Sequence, residues 1–250
     1  SDRGREDLIT ELPGAQFESS FAQFSGYLDV SETKKSFYWF MTTRDVAETL
    51  DKPLVMWTNG GPGCSGLMGL FTEHGAFRPT EDLTLEPFSY AWNKVANMLY
   101  IESPTGVGFS YGGDGDDYLA GDWSTAKDNF KLLQSFFERF PGLQSNDLYL
   151  SGESYSGHYI PTLAHLIVDA EGDDDTTAVG RRVAEQLRGV VVGNPYTDPI
   201  ENAHGMFTAW FGHAMVPAPM YQKWFTTCGS HTDMRYYTDA CWNATMGGNE

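Results

Sequence analysis

The sequence predicts an α/β fold built on a largely parallel sheet, and two patterns carry that expectation. Short apolar runs with the length and composition of buried strands recur along the chain, and stretches of helical periodicity lie between them. Composition agrees: 41% hydrophobic and 14% aromatic residues in 250 supply ample material for a core. The strand-like runs are Phe37-Tyr38-Trp39-Phe40-Met41, Leu54-Val55-Met56-Trp57, Met98-Leu99-Tyr100-Ile101, Leu148-Tyr149-Leu150 and Val190-Val191-Val192. A helix is expected after Asp122, which reads as its N-cap; Ala126, Phe130, Leu133, Phe137 and Phe140 fall at helical spacing and Pro141 marks the end. The next helix begins near Tyr155 and buries Tyr159, Leu163, Leu166 and Ile167. Strands alternating with helices place the sheet strands parallel. Gly112 to Asp117 and the acidic run Glu171 to Asp175 read as solvated loops. After Asn194 the chain becomes aromatic, Met-rich and Pro-punctuated, without strand-like runs, as the start of a helical insertion would be.

Sixteen Lys and Arg against 34 Asp and Glu give a formal charge of −18. Nucleic-acid binding needs a basic footprint, so that class is excluded. No apolar stretch approaches the roughly 20 residues that span a bilayer, so no membrane span is expected. Ser1 to Asp7 is polar and lacks an apolar signal core, so any targeting peptide is expected to lie outside this sequence. Of three cysteines, Cys228 and Cys241 lie close together in a Gly/Thr/Asp-rich stretch, where a disulfide would stabilise the chain by about 3 kcal/mol. Asn243-Ala244-Thr245 is a glycosylation sequon beside them, which points to a secretory route.

Two segments carry chemistry. In Leu148-Tyr149-Leu150-Ser151-Gly152-Glu153-Ser154-Tyr155-Ser156-Gly157 a buried strand runs through a Gly-flanked Ser directly into a helix, the context of a nucleophile elbow. The strict G-x-S-x-G spacing is not met, because Ser156 stands where the second Gly belongs and the Gly comes one residue later. A small residue still fits the strand-to-helix crossing. In Trp57-Thr58-Asn59-Gly60-Gly61-Pro62-Gly63-Cys64-Ser65-Gly66 a glycine loop follows a buried strand, which suits an oxyanion hole beside the elbow. Phosphate cradling is the rival reading, but the loop lacks the Lys-Ser/Thr of a P-loop and the spacing of a dinucleotide fingerprint. His204 and His213 have no Cys or carboxylate pattern around them, so neither a metal nor any other cofactor is expected.

Together these segments resemble the serine carboxypeptidases. The resemblance runs almost the full length: Leu12-Pro13-Gly14, Phe24-Ser25-Gly26-Tyr27-Leu28, WTNGGPGCSGLMGLFTEHG at 57–75, NMLYIESPTGVGFSY at 97–111, GESYSGHYIP at 152–161 and GNPYTDP at 193–199. It implies an α/β-hydrolase fold, with 1–199 as the N-terminal part of the core and 200–250 as the beginning of the helical insertion. It implies Ser154 as nucleophile and the N–H groups of Gly61 and Tyr155 as the oxyanion hole. It assigns Asn59, the Gly60 backbone and Glu153 to the substrate's terminal carboxylate, with Glu73 supporting Glu153. Like charges would then face one another, so at least one carboxyl must keep its proton, and binding should weaken as pH rises.

The chain departs from the family pattern by stopping early, since the triad order Ser, Asp/Glu, His needs two more residues after Ser154. Phe211-Gly212-His213-Ala214-Met215-Val216-Pro217 looks like a catalytic His turn but follows GNPYTDP too closely, with no intervening strand or Asp turn. His158 and His165 read as structural, and His74, His204 and His231 have no supporting context. The resemblance therefore implies the N-terminal chain of a two-chain enzyme, or a fragment. Its partner would be the C-terminal chain of the same precursor, disulfide-linked through Cys64, with a homodimer as a family-level expectation; Cys228 and Cys241 resemble an insertion disulfide. The expected activity is release of C-terminal residues from peptide substrates through an acyl-enzyme at acid pH, in a vacuole, a lysosome or outside the cell. A same-family acyltransferase or hydroxynitrile lyase, or a non-catalytic binding or protective subunit, are the alternatives.

Overall fold

The computed structural model describes residues 1–172 and 176–228. The chain divides into two compact units, Ser1–Pro195 and Tyr196–Glu250. After a short helix α1 (Asp2–Glu6), the first unit contains β1 (Gln23–Asp29), β2 (Lys35–Met41), β3 (Leu54–Thr58), β4 (Phe77–Pro79), β5 (Leu85–Pro87), β6 (Asn97–Ile101), α2 (Asp122–Arg139), β7 (Leu148–Glu153), α3 (Ser156–Asp169), α4 (Ala178–Gln186) and β8 (Leu187–Gly193). The main sheet has six strands in the order β1-β2-β6-β3-β7-β8, and β4 pairs with β5 in a separate ribbon. The β1–β2 and β2–β6 pairs are antiparallel, whereas β6, β3, β7 and β8 run parallel.

Alternation within the apolar runs determines how this sheet is buried. Tyr38 and Phe40 of β2 join one apolar cluster, and Trp39 and Met41 join another on the opposite face. The same division separates Leu54 and Met56 from Val55 and Trp57 in β3, and Leu99 and Ile101 from Met98 and Tyr100 in β6. Pleated backbone imposes that period of two. The first face is covered by α2, α3 and α4 through residues such as Leu133, Phe136, Ile160, Leu163 and Val183, and the second by Phe21, Leu70 and Phe77. A polar clamp adds to the apolar contacts: Asp7 Oδ2 accepts both the Tyr38 hydroxyl and Arg139 Nη1, each at 2.6 Å. Burial, reinforced by the Asp7 carboxylate, pushes the Tyr38 phenol well above its usual range.

Two local expectations are corrected. Asp122 is the first helical residue of α2 rather than its N-cap; Gly121 takes that position, and its N–H donates to Ser124 Oγ at 2.9 Å. The Asp122 carboxyl is engaged elsewhere, accepting the Tyr155 hydroxyl at 3.1 Å. The Val190-Val191-Val192 run does form a strand but is not buried, with Val190 48% and Val191 55% exposed. Among the described residues β8 pairs with β7 alone, which leaves Val190 and Val191 uncovered. Helix α4, capped by the Thr177 hydroxyl on Gly180 N–H at 3.0 Å, was not anticipated.

The second unit begins with α5 (Pro199–Gly212), whose N-cap Asp198 accepts from the amides of Ile200 and Glu201 at 2.8 and 2.9 Å. It continues with α6 (Ala218–Thr227), and Phe207 of α5 stacks on Trp224 of α6 with ring centroids 4.3 Å apart. Cys228 is disulfide-bonded. Cys241, Asn243 and His231 lie outside the described residues. No helix among the described residues is long and apolar enough to cross a membrane.

The core makes a direct prediction. Phe136 is fully buried and its ring meets those of Tyr38, Phe40, Phe137 and Phe140. Phe136→Ala is expected to lower the unfolding free energy by about 3–5 kcal/mol in denaturant titration, and Phe136→Leu by clearly less.

Candidate active site

The site forms where β3 and β7 end side by side. Their parallel register sets Trp57 opposite Ser151 and Thr58 opposite Gly152, so the loops that follow leave the sheet at one edge. Ser154 sits between β7 and α3 with φ of +57°, a left-handed conformation that a side chain adopts only under constraint. Its amide donates to the Gly193 carbonyl at 3.0 Å, and its own carbonyl accepts from Gly157 at 2.9 Å. The turn leaves Ser154 exposed. Ser156, in the place of the expected Gly, is fully buried and its hydroxyl donates to the Thr58 carbonyl at 3.0 Å. The substitution therefore adds a bond between the elbow and β3.

The glycine loop closes against this elbow. A Cβ at Gly60 would fall 2.3 Å from the Tyr155 amide nitrogen and 3.0 Å from Ser154 Cβ, so only glycine allows the approach. Gly61 follows with φ of +109°, and the Gly60 carbonyl accepts from Cys64 N–H at 3.0 Å. The Tyr159 hydroxyl, one turn along α3, is bonded to the Gly63 backbone, and burial pushes that phenol up to about 12. Cys64 is free and half-buried.

Beside the loop, Asn59 makes every hydrogen bond that its amide allows. Nδ2 donates to Glu73 Oε1 at 3.1 Å and to Glu153 Oε1 at 2.9 Å; Oδ1 accepts from Trp57 Nε1 at 2.8 Å and from Gly69 N–H at 3.1 Å. Glu73 lies on a π-helical turn, Gly69–His74, and its backbone carbonyl accepts from Arg78 Nη2 at 2.8 Å. Burial raises the Glu73 carboxyl above the usual range; the Asn59 amide opposes this, and the adjoining Glu153 carboxyl raises it further. Thus Asn59, Gly60, Glu73, Glu153, Ser154 and Tyr155, which come from three separate stretches of the sequence, are neighbours in space.

The histidines take other places. His74 is 5% exposed, stacks on Trp92 at 4.1 Å, meets Trp57 edge-on at 4.2 Å, and pairs through Nδ1 with the Tyr100 hydroxyl at 3.2 Å. Burial lowers its pKa to about 4. His158 stacks on Tyr155 with its Nδ1 3.6 Å from Asp122, and His165 lies 3.6 Å from Asp169. In the second unit His213 is the C-cap of α5, and His204 meets Trp224 edge-on. No cluster able to hold a metal occurs among the described residues. Sequence reasoning missed the Trp57–Asn59 bond and the aromatic box around His74. The first had a local signal, a Trp two positions before the Asn, whereas the box is assembled from three separate segments.

Comparison with known proteins identifies the family and the fold. The family model for serine carboxypeptidase matches residues 13–249. Serine carboxypeptidase-like 26 of Arabidopsis thaliana is 40% identical over 228 residues, which cover 89% of this chain and 48% of that relative. The lysosomal protective protein of Mus musculus is 40% identical over 233 residues, covering 93% of this chain and 46% of its own length. The chain thus spans about half the length of the curated relatives it matches. A crystal structure of a prohormone-processing carboxypeptidase from Saccharomyces cerevisiae matches with a TM-score of 0.82 at 23% identity, over 97% of this chain and 56% of that one, and shows the same α/β-hydrolase fold. With nearly all of its sequence under one family model and the elbow, glycine loop and acid pair folded together, the chain belongs to the serine carboxypeptidase family.

Proposed function

We propose that this chain supplies the nucleophile, the oxyanion hole and the carboxylate-binding site of a serine carboxypeptidase. The observation that carries the reading is Asn59, which holds two acids, Glu73 and Glu153, beside the exposed Ser154. Ser154 attacks the carbonyl of the last peptide bond, and the N–H groups of Gly61 and Tyr155 stabilise the resulting oxyanion. The amine leaves and water hydrolyses the acyl-enzyme. The general base and its Asp are assigned to the rest of the enzyme, since this chain spans about half the length of its curated relatives and no described histidine is hydrogen-bonded to Ser154. Cys64 is the link to that remaining portion.

An arriving C-terminal carboxylate needs donors, and the acids offer one only while the pair retains a proton. The raised pKa of Glu73 keeps that proton to higher pH than an isolated carboxyl would. As pH rises through the pair's upper pKa the proton is lost, and substrate affinity falls. An acidic compartment of the secretory pathway, or an acidic exterior, suits this dependence. The disulfide at Cys228 and the lysosomal naming of the mouse relative support the same location.

Ser154→Ala in the complete enzyme is expected to reduce hydrolysis of an N-blocked dipeptide by several orders of magnitude, and retention of most activity would remove Ser154 as nucleophile. A second measurement follows KM against pH. For a free-acid substrate KM rises from mildly acid to neutral pH, while an amidated peptide or ester loses much less. Glu153→Gln keeps a donor that does not titrate and flattens the KM curve for the free acid. A mutant curve as steep as wild type counts against the carboxylate site.

A further inference from the structure

Glu102, the residue after β6, is the one Asp, Glu, Lys or Arg among the described residues that is buried, at 1% exposure. No cation pairs with it among the described residues. Its carboxyl instead receives two neutral donors from different loops: the Ser65 hydroxyl on Oε1 and the Phe109 amide on Oε2, the latter at 2.5 Å. Room for the carboxyl is made by Gly108, with φ of +54°, where a Cβ would lie 1.9 Å from Oε1. The Glu102 backbone is equally fixed, since its amide donates to the Phe37 carbonyl at 3.1 Å and its carbonyl accepts the Ser110 hydroxyl at 2.6 Å. A buried acid without a cation is a costly way to join two loops, and a well-packed apolar contact would hold them as firmly.

What the carboxyl gains is aim. Ser65 ends the glycine loop that carries Gly61, and the Tyr159 hydroxyl holds Gly63 of that loop from α3. We propose that Glu102, acting through Ser65, is a positioning residue that fixes the Gly61 N–H at the oxyanion position beside Ser154. Hydrogen-bond donors stabilise a developing oxyanion only when held in place beforehand, and a displacement on the order of 1 Å costs about 100-fold in rate. The inference rests on the reading of Gly61 as an oxyanion donor.

The test compares Glu102→Gln and Ser65→Ala in the complete enzyme. Gln accepts one of the two donors but turns an N–H toward the other; Ser65→Ala frees the loop while leaving Glu102 bonded to Phe109. Three quantities are measured: kcat and KM for an N-blocked dipeptide, the affinity of a peptide aldehyde whose hemiacetal oxygen occupies the oxyanion position, and the melting temperature. The expected result in both variants is a fall in kcat of about 10- to 100-fold, a matching loss of aldehyde affinity, and KM within about twofold of wild type. Unchanged kcat and aldehyde affinity in a folded Ser65→Ala variant would overturn the proposal, as would losses confined to KM and melting temperature. Activity surviving Ser154→Ala would overturn the underlying catalytic reading instead, so the two failures are distinguishable.

Discussion

The parallel register of β3 against β7 is the constraint on which the rest of the site depends. With Thr58 opposite Gly152, the Ser151 hydroxyl reaches the Met56 carbonyl at 2.7 Å and the Ser156 hydroxyl reaches the Thr58 carbonyl at 3.0 Å, so side chains fix the pairing beyond the backbone ladder. The glycine loop can then pack directly on the elbow, and Asn59 comes within reach of Glu153. A slip of one residue would turn Asn59 and Trp57 to the opposite faces of the sheet and dissolve every contact described at the site.

Electrostatics at the site work against the character of the whole chain. A molecule with a formal charge of −18 places two of its 34 acids together and keeps them there with a neutral amide rather than a cation. The amide does not neutralise either acid, and so leaves the pair able to hold a proton that a lysine or arginine would have expelled. The aromatic box around His74 has the complementary effect. An imidazole with its pKa lowered to about 4 by burial stays neutral in mildly acid solution, so His74 adds no positive charge beside Glu73, whose own carboxyl burial raises above the usual range.

Strands β2, β3 and β6 were legible because each joins apolar clusters on both faces and therefore reads as an apolar run, and β7 shows as the short run Leu148-Tyr149-Leu150. In β8 the same reading meets only Val192 packed on the core, while Val190 and Val191 are about half exposed because the described residues supply no neighbour beyond β8. Helix α4 escaped notice because AVGRRVAEQ is short, carries a glycine and two arginines, and follows an acidic stretch. At the site, Ser154 was visible from local order alone: strand, glycine, serine, helix. Glu73 needed the family resemblance, since nothing around it in sequence marks it apart from the other acids. Glu102 lay in plain view in the 97–111 motif without any indication of its role, because its partners Ser65 and Phe109 meet it only through tertiary packing.

Asn59 is followed by Gly60, the dipeptide most prone to spontaneous deamidation in a flexible chain. That reaction needs the Gly60 nitrogen to swing onto the Asn59 side-chain carbonyl carbon and close a five-membered imide. Here Oδ1 is pinned by Trp57 and Gly69, Nδ2 by the two acids, and the Gly60 backbone by the elbow. The bonds that orient the amide therefore also slow its chemical ageing, at a position where conversion to aspartate would set a third acid against two and abolish both donors.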